Sequence, residues 1–546
     1  MTKVLILLFL LTASVASEKI YCQQAWWVFL DSKCGPCAPE PPASVLNKRS
    51  LTFQDPYGDL PVCSQYIAAL NVMGYKLLAK SRWLNAVCLQ LSPEQVKEIN
   101  DLPFVIKVQK ARQLQVSKTR ETSEEAQAQT SSITFPVSAF WGAALNQTEM
   151  LGLDLLHLHR YTGKNVCIAV FDNGFPQVNF MSAFFNTKIK ATYDFVSDET
   201  DVYNNTGTHG TLVLSTMASY MPGIHVGTAF DADYILAVTE NDMSETLQEE
   251  YNWVRAAEWA DSLGADIFTT SLGYTVFDDP GEDHTYADMD GNTTVITNAS
   301  DAAAARGILV INSAGNEGNT DWRYISAPAD GDSVFAIGAV NGLRELASFS
   351  SRGPTFDGRI KPDMMAQGAG SAVVTLSGGV MLYNGTSFSG PLIAGTSACL
   401  MQAGSDLSGY ETGIQLRNTG HLANTPNNDM GYGIPNASKA FENIMGYALQ
   451  RPKQVQISLY PNPAKGAFQL SVVFPGEGKN MNLEIYDLQG RRIMHTLLNS
   501  IPFYNIFHFR ESMEMKNIPA GIYLLKVSDD LSGELMDTLK LFWEGR

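Results

Sequence analysis

The chain has 546 residues, too many for one ordinary domain, and its 45% hydrophobic content excludes long disorder. A formal net charge of −18 with a pI near 4.9 repels phosphate backbones and argues against nucleic acid as a partner.

Residues 1–17 read as a secretory signal peptide: Lys3, an apolar run over 4–11, and a small-residue exit ending in Ala16 and Ser17. The run is too short to span a bilayer, and no later stretch has the length and apolarity of a membrane helix. The mature protein is therefore expected to be released or held at the surface.

Residues 18–116 carry short apolar runs at 26–30, 87–91 and 104–108 between helix-like stretches, the pattern of a small α+β domain. Ser92-Pro93-Glu94-Gln95 starts a helix, with Ser92 as N-cap and proline in the first turn. Cys22, Cys34, Cys37, Cys63 and Cys88 crowd this part of the chain. After export they are candidates for disulfides, but their number is odd and the pairing is not legible. Cys34-Gly35-Pro36-Cys37 has a redox-like spacing without the strand–helix context of a redox fold, so a structural turn is the better reading. Cys167 and Cys399 lie in apolar surroundings and are expected as buried free thiols. Residues 117–137 are polar, rich in Ser, Thr, Glu and Gln, and read as an exposed, cleavable linker.

Over residues 138–448, apolar runs at 166–171, 235–238, 267–268, 308–311 and 334–340 alternate with helical patterns at 249–263 and 293–306. Gly307 stands at a helix stop. This predicts an α/β domain built on a doubly wound, mostly parallel sheet. Residues 455–546 change to short alternating strands at 468–473, 482–486 and 522–527 between Asn, Gly, Asp and Pro clusters, which predicts a β-sandwich.

Three motifs fall at strand ends of the α/β region, where such sheets gather functional groups. Asp172 closes the apolar 166–171 run, His209 stands between glycines ahead of an apolar helix, and Ser387 opens a helix of small residues. Singly each has a bland explanation: a turn aspartate, a structural histidine, an N-cap serine. Together, and joined by Thr270-Ser271-Leu272-Gly273, Ser313-Ala314-Gly315-Asn316-Glu317-Gly318 and Ser348-Phe349-Ser350-Ser351-Arg352-Gly353-Pro354, they closely resemble the subtilisin-like serine protease family. The order Asp, His, Ser is that of subtilisin itself.

The resemblance implies a secreted serine endopeptidase. Asp172, His209 and Ser387 would form the triad, Asn316 would donate to the oxyanion, and Ser271, Leu272, Gly273, Ala314 and Gly315 would line the substrate. The last five carry no charge, which argues against a strict basic or acidic primary-site preference. Asn173 stands where Ser or Thr is commoner, and Phe388-Ser389 where Met-Ala is commoner; neither removes a reactive atom. No cofactor is required for the chemistry. Structural calcium is left unassigned: the acidic loop 278–290 lacks a recognised spacing and reads better as a solvated loop.

Residues 18–116 resemble the family's inhibitory propeptide, implying maturation by a cut within residues 115–140, with a permanent accessory domain as the alternative. Leu459-Tyr460-Pro461-Asn462-Pro463, Tyr486-Asp487-Leu488-Gln489-Gly490-Arg491 and Pro519-Ala520-Gly521-Ile522-Tyr523 resemble the sorting tail of the type nine secretion system of Bacteroidetes. The partners implied are protein or peptide substrates, the chain's own propeptide and the secretion machinery. Two other function classes stay in view. One is an inactive, surface-held adhesin; the other is an esterase, disfavoured because residue 389 is Ser where that serine motif needs Gly.

Overall fold

The computed structural model describes residues 24–33, 60–112, 140–404, 407–449 and, in the tail, 456–544 apart from 461, 466–467, 474–480, 499–505, 514–517, 531 and 534. The signal peptide, the linker, and Cys22, Cys34 and Cys37 lie outside the described residues.

In the N-terminal unit, β1 (Gln24–Leu30), α1 (Ser64–Val72), β2 (Lys76–Ser81), β3 (Ala86–Leu91), α2 (Pro93–Asn100) and β4 (Val105–Arg112) form an antiparallel sheet in the order β2-β3-β1-β4 with two helices. Val28 and Leu30 of β1 and Val87, Leu89 and Leu91 of β3 share a core with Leu70 and Ile99 from the helices. Ser92 caps α2 through a reciprocal box with Gln95, as its sequence predicts. Cys63 is disulfide-bonded, whereas Cys88 is a buried free thiol.

The α/β region begins with α3 (Leu145–Met150) and α4 (Asp154–Leu158), followed by β5 (Cys167–Asp172), β6 (Lys188–Asp194), α5 (His209–Ala218), β7 (Tyr220–Met221) and β8 (His225–Val226). Next come β9 (Asp233–Val238), α6 (Leu247–Ser262), β10 (Ile267–Thr270), α7 (Val295–Ala305), β11 (Leu309–Ser313), β12 (Val334–Val340) and β13 (Met364–Gln367). The region ends with the hairpin β14 (Ser371–Val374) and β15 (Val380–Tyr383), then α8 (Thr386–Gln402), α9 (Gly409–Arg417) and α10 (Ala437–Met445).

Seven strands make one parallel sheet, ordered β13-β12-β11-β10-β5-β9-β6. Every residue of β5 is buried, and its side chains alternate between two faces. Ile168 and Val170 join a core with Leu212 and Val213 of α5 and Leu392 and Ile393 of α8. On the other face the Phe171 ring meets Trp253 of α6, centroids 5.4 Å apart. Helices on both faces make the sheet doubly wound, as expected. From β5 the chain runs first toward β6 and β9 and later returns to build β10 to β13 on the other side, so the end of β5 is the switch point at which a crevice opens. Cys167 and Cys399 are buried free thiols, and among the described residues no helix is long and apolar enough to cross a membrane.

A buried histidine fastens the hairpin to this region. His225 is fully buried; its Nδ1 accepts from Ser219 Oγ at 2.6 Å and its Nε2 donates to the Ala372 carbonyl at 2.9 Å. Burial holds the imidazole down at about 4. Above the ordinary histidine value of about 6.5 it is neutral folded or unfolded, and it contributes no pH dependence. As pH falls from there toward 4, the unfolded chain takes up a proton that the folded one refuses, so stability drops, by about 3 kcal/mol at full extent. Urea unfolding of wild type and His225→Gln at pH 7.5 and 4.5 should show the variant losing correspondingly less; parallel losses would exclude this origin.

The tail contains β16 (Gln456–Tyr460), β17 (Phe468–Val473), β18 (Met481–Tyr486), β19 (Arg492–Leu498), β20 (Ile506–Met513), β21 (Gly521–Asp529) and β22 (Leu535–Trp543). They form antiparallel sheets β16-β17-β20 and β19-β18-β21-β22. Met481, Leu483 and Ile485 alternate inward to meet Leu525 and Val527, giving the tail a core of its own.

Candidate active site

Asp172 ends β5, fully buried, and its Oδ1 accepts from the Asn173 backbone N–H at 2.9 Å and pairs with His209 Nδ1 at 2.8 Å. His209 is the first residue of α5, whose following residues, Gly210 to Ala218, are all buried. That places a partly exposed imidazole at the head of a firmly packed helix. The helix must come close to β5, which is why glycine follows the histidine: a Cβ at 210 would lie 2.4 Å from the Gly174 carbonyl oxygen and 3.0 Å from Asp172 Cβ. Beneath the imidazole sits the buried Phe388 ring, centroids 5.9 Å apart, so Ser387 and His209 belong to the same locale.

Ser387 occupies the first turn of α8. Pro391 removes the N–H that an uninterrupted helix would aim at the Ser387 carbonyl. Ser271 replaces it: Ser271 Oγ donates to Ser387 O at 2.9 Å, while Ser387 Oγ donates to Ser271 O at 3.3 Å. The serine is thus held from the end of β10.

Asn316, in the loop after β11, accepts through Oδ1 from the Thr386 N–H at 2.9 Å and the Thr386 hydroxyl at 3.0 Å. The same hydroxyl accepts from Gly315 N–H at 3.2 Å. With its oxygen engaged, the Asn316 amide has its NH₂ end left for another partner. Thr386 was not singled out from sequence. Its signal was its position one residue ahead of Ser387, but its contacts span 70 positions of chain.

Of the substrate-lining candidates, Ser271, Leu272 and Gly273 follow β10, and Ala314 and Gly315 follow its neighbour β11. Gly273 is exposed. Leu272 O accepts from Asn312 Nδ2 at 2.9 Å. Ala314 N–H donates to Ile337 O and Gly315 O accepts from Ser351 N–H. Three of the four backbone groups of the second pair are thus engaged inside the protein, as are the Ser271 and Leu272 carbonyls of the first group.

Among the described residues, the carboxylates close enough to share a cation are those of Glu240, Glu245 and Glu249, not those of the 278–290 loop. Two of the three already accept hydrogen bonds: Glu240 from Tyr274 and Thr239, Glu249 from the Thr246 N–H. Burial pushes Glu240 up to about 7 and raises Glu249 as well, favouring proton retention over cation binding.

Residues 163–433 match the model of the subtilase family, 25–129 that of the peptidase S8 propeptide domain of Bacteroidota, and 458–538 that of the secretion system C-terminal sorting domain. Subtilisin of Bacillus pumilus is 33% identical over 249 residues, covering 45% of this chain and 80% of its own length. The chain belongs to the subtilase family. Subtilisin DY of Bacillus licheniformis is 30% identical over 275 residues, covering 50% of this chain and 89% of that protein. Subtilisin E of Bacillus subtilis (strain 168) is 29% identical over 335 residues, covering 61% and 74%. Among solved structures, the MycP3 protease of the type VII (ESX-3) secretion system matches with a TM-score of 0.45 and 19% identity, over 56% of this chain and 91% of that one. This subtilase is a serine endopeptidase with a propeptide domain, and its sorting tail marks it for type IX export to the cell surface or the extracellular space.

Proposed function

We propose that this subtilase hydrolyses peptide bonds of extracellular proteins through Asp172, His209 and Ser387. The observation that carries the reading is the 2.8 Å pair between the buried Asp172 carboxylate and the imidazole that shares its locale with Ser387. A carboxylate on Nδ1 fixes the tautomer that leaves Nε2 as base, and it stabilises the imidazolium. His209 takes the Ser387 proton as the hydroxyl oxygen attacks the substrate carbonyl. The oxyanion receives hydrogen bonds from Asn316 Nδ2 and the Ser387 N–H. Collapse expels the amine, protonated by His209, and leaves an acyl-enzyme that water hydrolyses by the same steps in reverse roles. No cofactor enters this chemistry. Ser271 to Gly273 supply the edge for an extended peptide, and Ala314 and Gly315 supply the wall beside it.

Labelling of the secreted enzyme with a fluorophosphonate tests the reading. Wild type should label and Ser387→Ala should not; an unlabelled, folded wild type would favour a binding scaffold. In the same reading, residues 18–116 act as an intramolecular inhibitor after loss of residues 1–17, the linker 117–137 is cut, 138–448 is the working enzyme, and 455–546 engages the secretion machinery. The amino-terminal sequence of the active enzyme should begin within residues 115–140; a start at residue 18 would make the first domain a permanent accessory.

A further inference from the structure

The loop from Tyr274 to His284 leaves the candidate peptide edge directly after Gly273, and the proposed chemistry makes no use of it. The acids of 278–290 are expected in solvent, yet this stretch folds back on itself. The His284 N–H donates to the Thr275 carbonyl at 2.8 Å and the Phe277 N–H to Asp283 Oδ1 at 2.7 Å. Three rings stand in a row along it. Tyr274 stacks with Phe277 at a centroid distance of 6.4 Å, and Phe277 meets His284 nearly at right angles, 5.2 Å away. The segment that leads into α6 holds this row at three places. The Tyr274 hydroxyl donates to Glu240, the Asp278 N–H to the Glu245 carbonyl at 2.8 Å, and His284 Nε2 to Glu250 Oε1 at 2.5 Å. The last pair is out of water, with the Glu250 side chain 3% exposed and that of His284 11%. Glu250 Oε2 also accepts from the Ile296 N–H at 3.2 Å, so one carboxylate joins α6, the loop and the first turn of α7.

We propose that His284 and Glu250 form a latch that positions the peptide edge at 271–273, and that the latch slackens as pH rises, loosening the grip on extended substrates. The proposal rests on the reading of 271–273 as that edge. An imidazolium holds a carboxylate more strongly than a neutral imidazole does. Once the proton leaves, a buried carboxylate stays behind without its counter-charge. The groups facing His284 are acids: Glu250 from α6, Asp288 from the continuation of its own loop, and Asp330 from the loop between β11 and β12. Burial opposes charging of the imidazole, but these carboxylates outweigh it and hold His284 above its ordinary value. The latch is therefore complete below the ordinary histidine value of about 6.5 and is lost as pH rises through the raised one. Other charges nearby are turned elsewhere. Glu249, beside Glu250 on α6, accepts from the Thr246 N–H, and Asp301 of α7 from the N–H groups of Asp332 and Ser333. Arg359 donates to the Asp330 carbonyl, and Lys361 pairs with Asp363. At the far end of the row Glu240, pushed up to about 7 by burial, titrates as well.

The test is KM of the processed enzyme against pH, read with an uncharged extended peptide and with an N-acylated single-residue ester too short to pair with the edge. For wild type, KM for the peptide should rise about fivefold between about pH 6 and 9, the difference between a charged and a neutral hydrogen bond, while KM for the ester stays level. His284→Gln keeps a neutral donor for Glu250, so its KM for the peptide should stand at the raised level at every pH, with kcat close to wild type. Glu250→Gln should behave likewise. A flat wild-type KM for the peptide overturns the proposal, whether or not the variants fold. So does a pH dependence that His284→Gln retains, which belongs to Glu240, or a His284→Gln variant that loses thermal stability alone. Gly273→Ala separates the two levels, because a Cβ there would lie 2.1 Å from Ser326 Oγ and disturb the edge. If it leaves KM for the peptide unchanged, the edge reading fails and the latch with it; if it raises KM while His284→Gln does not, the latch alone fails.

Discussion

Ser387→Ala should lower kcat about 10⁶-fold, and adding His209→Ala should cost little more, because the two side chains act as one unit. That is the loss known for subtilisin, whose triad these residues resemble. Folding should survive the change. Ser387 contributes through Oγ a hydrogen bond of 3.3 Å, whereas the stronger tie runs from Ser271 Oγ to the backbone carbonyl, which alanine keeps. Burst titration and thermal unfolding of the same preparation check both halves. Additive losses in the double variant would mean that serine and histidine do not cooperate in proton transfer.

Asn316→Ala should lower kcat by about 10²–10³ with KM nearly unchanged, since an oxyanion donor acts on the transition state rather than on bound substrate. This range too is subtilisin's. The structure adds a discriminating variant. Asn316 Oδ1 is held by the Thr386 N–H and hydroxyl at 2.9 and 3.0 Å, so alanine removes a structural acceptor along with the donor. Asn316→Asp retains the acceptor toward Thr386 while replacing the NH₂ by a second oxygen. If the donor is what matters, the aspartate variant should be at least as slow as the alanine one yet more stable. Steady-state kinetics beside melting temperatures decide it; a fast aspartate variant would assign Asn316 to the support of Thr386 alone.

The elements that the amino-acid sequence reveals are those whose burial is two-sided. Val334–Val340 forms the strand its uninterrupted apolar run predicts, and all of it is buried. Lys76–Ser81 and Lys188–Asp194 escaped because both lie at sheet edges, where alternating lysines face water and dilute the apolar signal. The site divides in the same way. Asp172, His209, Ser387 and Asn316 stand in short local motifs at element ends, so their types and surroundings can be read along the chain. The links that hold them cannot: Ser271 meets Ser387 across 116 positions, and Asn173 meets Asp242 across 69. Such pairings exist only once the sheet has set its strand order. The carboxylate cluster at Glu240, Glu245 and Glu249 is likewise illegible along the chain: the segment also carries Asp242 and Glu250, and only the path from the loop after β9 into the first turn of α6 selects which three acids meet.

Pro391 has a mechanical consequence for residue 387. A peptide unit bonded to the next turn of its own helix shares that helix's tilting and fraying. Here the corresponding bond is missing, and the carbonyl is moored to the central strand's end by a hydroxyl. The second residue of α8 is thereby fixed by the sheet as well as by its own helix, so a change at Ser271 reaches the serine directly, without passing through the buried remainder of α8.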